Sequence, residues 1–200
     1  AKGWKVEHLK RLVVEPLAYG LSEAAELEDR ELPRFIRITD FDQNGKLRDE
    51  TFRSLPREVA KEAMLKEGDV LFARSGATAG KTFMFSGYQG EACFAGYLVC
   101  ARTMRWKLLP RFLYHYTKSL PYEAWKRLIF TQTTIPNISA AKYNYLAVPL
   151  PSIKEQEAIV EHIDSAQQRA EDLLANIREQ IDTLLAYRKS LIHECVTGQR

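Results

Sequence analysis

The run Val148-Pro149-Leu150-Pro151-Ser152-Ile153-Lys154-Glu155 divides this chain into two kinds of structure. Proline lacks the donor that a strand needs, so two prolines bracketing Leu150 end the extended segment that arrives at Val148. Ser152 then reads as a helix N-cap, and Glu155 three residues later completes a capping box. From there no glycine or proline occurs until Gly198. At 1.5 Å per residue the stretch predicts a single helix of about 45 residues, roughly 67 Å long. Thr197-Gly198 supplies its C-cap.

Along this helix one stripe contains Ile159, Ile163, Ala166, Ala170, Leu173, Ile177, Ile181, Leu184, Arg188, Leu191 and Cys195. Steps of four and three alternate until Ile177, then slip by four to Ile181, a coiled-coil period with one stutter. Leu174, Leu185 and Ile192 widen the stripe. Such a helix must bury its seam against another helix, which makes Ile159, Ile163, Ala166, Ala170, Leu173, Ile177, Ile181, Leu184 and Leu191 the expected dimerisation residues. The competing reading folds the helix back on its own domain.

Charge divides at the same place. The whole chain carries +3, but residues 152–200 hold 6 Lys/Arg against 9 Asp/Glu, and residues 1–151 hold 23 against 17. The first part, at +6, suits a polyanion, and the second, at −3, does not. The expected domains are therefore 1–151, a recognition unit, and 152–200, a helical spacer. At 46% hydrophobic and 28% charged residues the composition is that of a globular chain. No apolar run approaches the ~20 residues that span a bilayer. Neither a secretory signal at the first residues nor a disulfide or zinc pattern in Cys93, Cys100 and Cys195 is visible, so a reducing cytoplasm is expected. His8, His115, His162 and His193 are scattered, and metal chemistry is not indicated.

The first 150 residues mix short elements. Arg34 to Thr39 alternates like a strand, and Asp42-Gln43-Asn44-Gly45 marks a turn. Pro56 to Leu65, Pro110 to Ser119 and Pro121 to Ile129 read as helices opening on proline. Val70 to Arg74, Lys81 to Phe85, Gly96 to Arg102 and Tyr145 to Leu150 read as strands. Without an alternating βαβ pattern, the expected class is α+β, built on an irregular, largely antiparallel sheet.

Ser75-Gly76-Ala77-Thr78-Ala79-Gly80-Lys81-Thr82 nearly matches the phosphate-binding loop G-x-x-x-x-G-K-[ST], with Ser75 where the first glycine belongs. That loop must open a helix, whereas Thr82-Phe83-Met84-Phe85 continues as a strand. The segment reads better as a hairpin loop carrying Arg74, Ser75, Thr78 and Lys81, small enough in backbone to approach a ligand closely. An ordinary flexible hairpin tip is the alternative. Thr131 to Ile138 is polar and follows the basic residues Lys126 and Arg127. Gln and Asn suit adenine N6/N7, Arg and Lys suit guanine O6/N7, and Thr hydroxyls serve bases or phosphates. This makes Gln132, Thr133, Thr134 and Asn137 a second candidate contact loop, although Asn137 or Ser139 could simply cap a short helix through Lys142. Arg37 and Thr39 are further DNA-binding candidates on a strand. The acidic run Glu23, Glu26, Glu28, Asp29 and Glu31 reads as solvated surface. No nucleophile–base pair or methyltransferase tetrad is present, which disfavours an enzyme.

Gly68 to Lys81 closely resembles the glycine-rich motif in target-recognition domains of Type I restriction-modification specificity subunits. Trp4-Lys5-Val6, Pro16 to Gly20, Phe35 to Asp40 and Thr133 to Ser139 fit the same pattern, in order. Val148 to Val160 and Arg188 to Gly198 look like the family's conserved helical region. The resemblance implies a non-catalytic module that reads one half of a split double-stranded DNA target. Its helix would set the distance to the other half. Methyltransferase (modification) subunits would dock on it, a motor-nuclease restriction subunit could join, and S-adenosylmethionine and ATP would bind to those partners. Family members usually carry two recognition domains and two antiparallel helices, whereas this sequence has one set: either it is half of a longer protein, or it pairs with a second copy. A homodimer with a two-fold axis and an inverted, interrupted target is the corresponding expectation. Two other classes stay open: a coiled-coil protein–protein adaptor without DNA specificity, and an enzyme built on the near-miss phosphate loop.

Overall fold

The computed structural model describes residues 3–42, 45–131 and 136–198. Its strands are β1 (Lys5–His8), β2 (Ala18–Tyr19), β3 (Arg34–Ile36), β4 (Val70–Ala73), β5 (Thr82–Met84), β6 (Ala92–Phe94), β7 (Leu98–Ala101) and β8 (Ala147–Leu150). Its α-helices are α1 (Arg57–Ala60), α2 (Pro110–Tyr116), α3 (Leu120–Phe130), α4 (Ala140–Asn144) and α5 (Ile153–Thr197). The fold is α+β, with a long final helix.

A four-stranded antiparallel sheet, ordered β2-β7-β4-β5, forms the centre. All four residues of β4 are buried, so it reads as an unbroken apolar run rather than as an alternation. Leu71 and Ala73 enter a cluster with Ile36, Phe41, Phe83 and Phe94. The Phe41 and Phe83 rings stack there at 4.3 Å. Phe72, one step along the pleat, instead meets the ring of Tyr143 at 4.7 Å. Helix α2 packs on β4 and β5.

Beside this sheet, β3 and β6 pair in parallel, and β1 pairs antiparallel with β8, with Val6 opposite Pro149. Two segments depart from their sequence expectation. The strand foreseen from Arg34 to Thr39 stops at Ile36. Its three residues are all buried, and the Asp40 carboxylate accepts the Arg37 backbone N–H at 2.6 Å, turning Ile38–Asp40 into a 3-10 helix. Thr39 therefore sits on a turn. The helix foreseen from Pro56 to Leu65 ends early, with a 3-10 turn over Lys61–Ala63. Met64 then bridges Cys93, and the Leu65 N–H donates to the Ala92 carbonyl at 2.8 Å. The backbone bonds of this stretch go to β6 rather than to another helical turn.

Helix α5 is unbroken from Ile153 to Thr197. Its start is the foreseen capping box: the Ser152 N–H donates to Glu155 Oε2 at 2.8 Å, and the Glu155 N–H donates to Ser152 Oγ at 3.4 Å. Gln156, fully buried, holds the first turn in place. Its Nε2 donates to the carbonyls of Lys107 (2.8 Å) and Pro151 (3.0 Å), and its Oε1 accepts the Leu109 N–H at 2.9 Å. Residues 1–157 and 158–200 accordingly form two compact units, the first turn of α5 belonging to the globular one. Within the helical unit Leu173, Ile177, Ile181 and Leu184 are all exposed. Cys93 and Cys100 are buried, Cys195 is exposed, and all three are free. Burial pushes the Cys93 thiol up to about 12, which makes it a core residue and not a nucleophile.

Candidate nucleic-acid interface

The glycine-rich loop leaves β4 at Arg74 and returns to β5 at Lys81. Its ends are tied as a hairpin, with Gly80 N–H to the Ala73 carbonyl at 2.9 Å and Ala73 N–H to the Lys81 carbonyl at 2.8 Å. A 3-10 turn, Gly76–Thr78, closes the tip. A strand follows it where a nucleotide-binding loop would open a helix. Two buried phenols brace the same backbone: Tyr143 donates to the Ala73 carbonyl at 3.0 Å and Tyr122 to the Gly80 carbonyl at 2.8 Å. Burial raises both phenols well above their ordinary range, which keeps them protonated as donors.

The second candidate loop docks directly on the first. The Ile138 N–H donates to the Arg74 carbonyl at 2.8 Å, the Gly76 N–H donates to the Pro136 carbonyl at 3.2 Å, and Ser75 bridges Asn137. Ser139 caps α4, accepting the Lys142 N–H at 3.3 Å, so the capping role foreseen hereabouts falls to Ser139. Asn137 remains on the surface beside Ser75. Gln132, Thr133 and Thr134 lie outside the described residues.

Arg37, Thr39, Arg74, Ser75, Thr78 and Asn137 all line one cleft of about 690 Å³, together with Ser22, Glu23, Gly96 and Tyr97. Lys81, exposed, lies on an adjoining cleft. The Arg37 guanidinium is engaged by Asp40 at 2.8 Å and by the Thr51 carbonyl at 2.7 Å, so it builds the wall of the first cleft. Arg74 is set differently. Its guanidinium carbon lies 4.8 Å from the Tyr19 ring centroid, and its buried Nε has no hydrogen-bond partner among the described residues. The Tyr19 hydroxyl in turn accepts the Ala140 N–H at 2.9 Å, which fixes the ring.

Tyr97 and Glu23, which line this cleft, and Tyr19, whose ring lies against Arg74, were not foreseen. Tyr19 sits in the Pro16-to-Gly20 string without any local signal that its partner is Arg74, 55 positions on, and Glu23 hid within an acidic run. Within that run Glu28 instead forms a surface ion pair with Arg53 at 2.6 Å. Among the described residues no cluster of three His, Cys, Asp or Glu is placed to hold a metal ion. None of the described helices is long and apolar enough to cross a membrane.

Residues 24–183 match the family model of the Type I restriction modification DNA specificity domain. The chain belongs to that family. This specificity domain is 25% identical over 180 residues to the Type I restriction enzyme StySPI specificity subunit of Salmonella potsdam, covering 86% of this chain and 37% of that protein. It is 24% identical over 209 residues to the EcoKI specificity subunit of Escherichia coli K12, covering 99% of this chain and 43% of the relative. It thus spans about two fifths of the length of these curated relatives. Among solved structures, the HsdS subunit from Thermoanaerobacter tengcongensis shares the fold at a TM-score of 0.65 and 17% identity, over 86% of this chain and 44% of that one. A chain from a structure of the type I R-M system does so at 0.67 and 22%, over 86% and 40%. The family model is that of a DNA specificity domain, and both relatives are named as specificity subunits of Type I restriction enzymes.

Proposed function

We propose that residues 1–151 read one half of a bipartite DNA target through the cleft around Arg74, and that the helix over 152–200 spaces and pairs such readers. One observation carries this reading. Arg74, Ser75, Thr78 and Asn137, chosen for base-edge and phosphate chemistry on two separate loops, line a single cleft braced by hydrogen bonds from the core. Donors and acceptors held on a rigid backbone are what groove readout requires. Gln132, Thr133 and Thr134 are further contact candidates in this reading.

For the helix, the supporting fact is exposure. Leu173, Ile177, Ile181 and Leu184 are 61, 41, 50 and 65% exposed, a continuous apolar stripe of a length that water does not tolerate uncovered. Its occupant in this proposal is the same helix of a second copy, antiparallel, so that one two-fold axis relates two readers and two half-targets. Such a dimer positions modification subunits, and with them a restriction subunit, on both halves. S-adenosylmethionine and ATP belong to those partners.

Co-purifying the full chain with its methyltransferase subunit, then mapping which adenines in a random duplex pool become protected, tests the whole reading. A symmetric, interrupted motif is expected. Methylation without sequence preference would overturn the recognition role and leave a coiled-coil adaptor. A motif with a single contiguous half would overturn the dimer alone.

A further inference from the structure

The cleft that holds Lys81 adjoins the base-reading one through Ile38, Thr39 and Thr78, and encloses about 600 Å³. Its charged rim is Arg48, Lys81, Lys118 and Lys126 against Asp42 and Glu123, four cations to two carboxylates. Both carboxylates are engaged locally. Glu123 pairs with Lys126 at 2.6 Å, and Asp42 accepts the Lys46 N–H at 2.8 Å.

We propose that this second cleft seats a sugar–phosphate backbone segment of the duplex, with Lys81, Lys118 and Lys126 as its phosphate contacts. The inference rests on the DNA-reading role and adds a separate site to it. Three observations carry it. Cationic side chains from the hairpin loop, from the end of α2 and from α3 converge on one opening, which no single surface helix would produce. The opening is far larger than a lone anion needs and suits a length of polymer. Its cations are mainly lysines, point charges on adaptable stems that suit phosphates, whereas the base-reading cleft presents Arg74, whose planar fork suits base edges.

The loop is also shaped for this arrangement. Gly80 has φ +80°, and a Cβ there would lie 2.2 Å from Lys126 Cδ. The missing side chain lets the Lys126 stem lie directly across the loop. Lys118 Nζ donates to the Thr82 carbonyl at 2.9 Å and stands 4.6 Å from the Tyr114 ring centroid. Desolvation, with Lys126 and Lys81 nearby, pulls its amine down to about 8. A phosphate relieves that crowding of like charge.

The test is the salt dependence of binding of the full chain to a mixed-sequence DNA duplex. Each phosphate contact removed lowers the slope of log affinity against log salt by about 0.9. Lys118→Gln and Lys81→Gln are expected to reduce it by about that much each, and their double variant by about twice as much. Lys118→Arg is expected to retain it. Lys126→Gln is read alongside circular dichroism because its stem packs on Gly80. An unchanged slope in the Lys81/Lys118 double variant, with wild-type binding intact, overturns the phosphate seat. Absence of DNA binding by the wild-type chain overturns the parent reading, and this site with it.

Discussion

The guanidinium of Arg74 stands 4.8 Å from the centroid of the Tyr19 ring, and that ring is itself anchored through its hydroxyl to the Ala140 backbone N–H at 2.9 Å. A cation held over an aromatic face loses less freedom when it meets a base than a free side chain does, because its direction is already set. Arg74→Ala is expected to cost about 1–3 kcal/mol in affinity for the cognate duplex and to relax specificity at one base pair. Tyr19→Leu removes only the platform and is expected to cost less, about 0.5–2 kcal/mol. Tyr19→Phe keeps the ring and is expected to stay nearer wild type. Fluorescence anisotropy on cognate and scrambled duplexes checks all three. An unaltered cognate-to-scrambled ratio in Arg74→Ala would make it a phosphate anchor or part of the scaffold.

The Tyr143 hydroxyl links α4 to the last carbonyl of β4, and the Tyr122 hydroxyl links α3 to the loop at Gly80. Both side chains are fully buried. Removing the Tyr122 hydroxyl takes away the Gly80 carbonyl's hydrogen bond at a cost of about 1–3 kcal/mol, whereas the Ala73 carbonyl keeps the Gly80 N–H when Tyr143 loses its hydroxyl, so that loss costs about 0.5–1.5 kcal/mol. Tyr143→Phe and Tyr122→Phe should each lower the urea midpoint by that equivalent without changing the slope of the transition. Because both bonds hold the ends of the contact loop, cognate binding should weaken in parallel, although neither residue lines the cleft around Arg74. Stability loss with undiminished binding would show that the loop keeps its shape without them.

The long helix was open to reading from the sequence because everything that makes it is local: a capping box at Ser152 and Glu155, an interrupted-heptad seam, and no glycine or proline before Gly198. The antiparallel core was open too, since Val70 to Ala73 and Leu98 to Ala101 are short apolar runs bounded by turn residues. The parallel pairing of β3 with β6 was not. It depends on burial of Arg34, Phe35 and Ile36 on both faces, which an alternating pattern does not reveal. The contact residues Arg74, Ser75, Thr78 and Asn137 could be picked from loop chemistry. That the loops lie against each other could not, because Ser75 meets Asn137 only through tertiary packing. Tyr19 and Lys118 were missed for the same reason: each acquires its role from a neighbour distant in sequence. Gln156 looked like any polar residue of a helix surface, and its burial follows from three backbone groups that converge on it.

Lys118 makes DNA binding depend on pH in a definite direction. The groups around it are Lys81, Lys126 and Glu123, with Tyr114 beneath its ammonium and Arg48 and Asp42 across the cleft. In the free chain its amine lies at about 8. A phosphate stabilises the charged form, so the bound value is higher than the free one. Binding near pH 8 therefore takes up a proton. The contribution of Lys118 is fully present below its free pKa and is lost as pH rises toward the bound value. Affinity should fall by up to about tenfold per pH unit above 8. Lys118→Arg, which stays charged, should flatten the profile between pH 7 and about 10. Titrations in buffers of different ionisation enthalpy check the proton uptake directly. A wild-type profile as flat as that of the arginine variant would remove Lys118 from the contact.

The stripe through Leu173, Ile177, Ile181 and Leu184 sets the strongest demand on the assembled molecule. Isolated helices in water draw little stability from propensity alone; packing of an apolar face supplies most of it. Here the residues that would supply that packing are exposed on a single helix, so its helicity and its pairing should be one transition. Ile177→Asp and Ile181→Asp place charges at consecutive positions around the stutter, where the proposed antiparallel copies would bring their midpoints together. Each buried carboxylate without a partner costs several kcal/mol. Light scattering should therefore find the wild type dimeric, as proposed, and the double variant monomeric at the same concentration, with a loss of helical ellipticity. The globular unit draws its core from Leu71, Phe72, Phe83 and Tyr143, none of which belongs to the helical stripe, so its thermal transition should persist. DNA binding should then drop to that of one reader on one half-site, with loss of the advantage a two-site target has over a single half. Full helicity in a monomeric variant would mean that the helix is stabilised by something other than a second copy of itself.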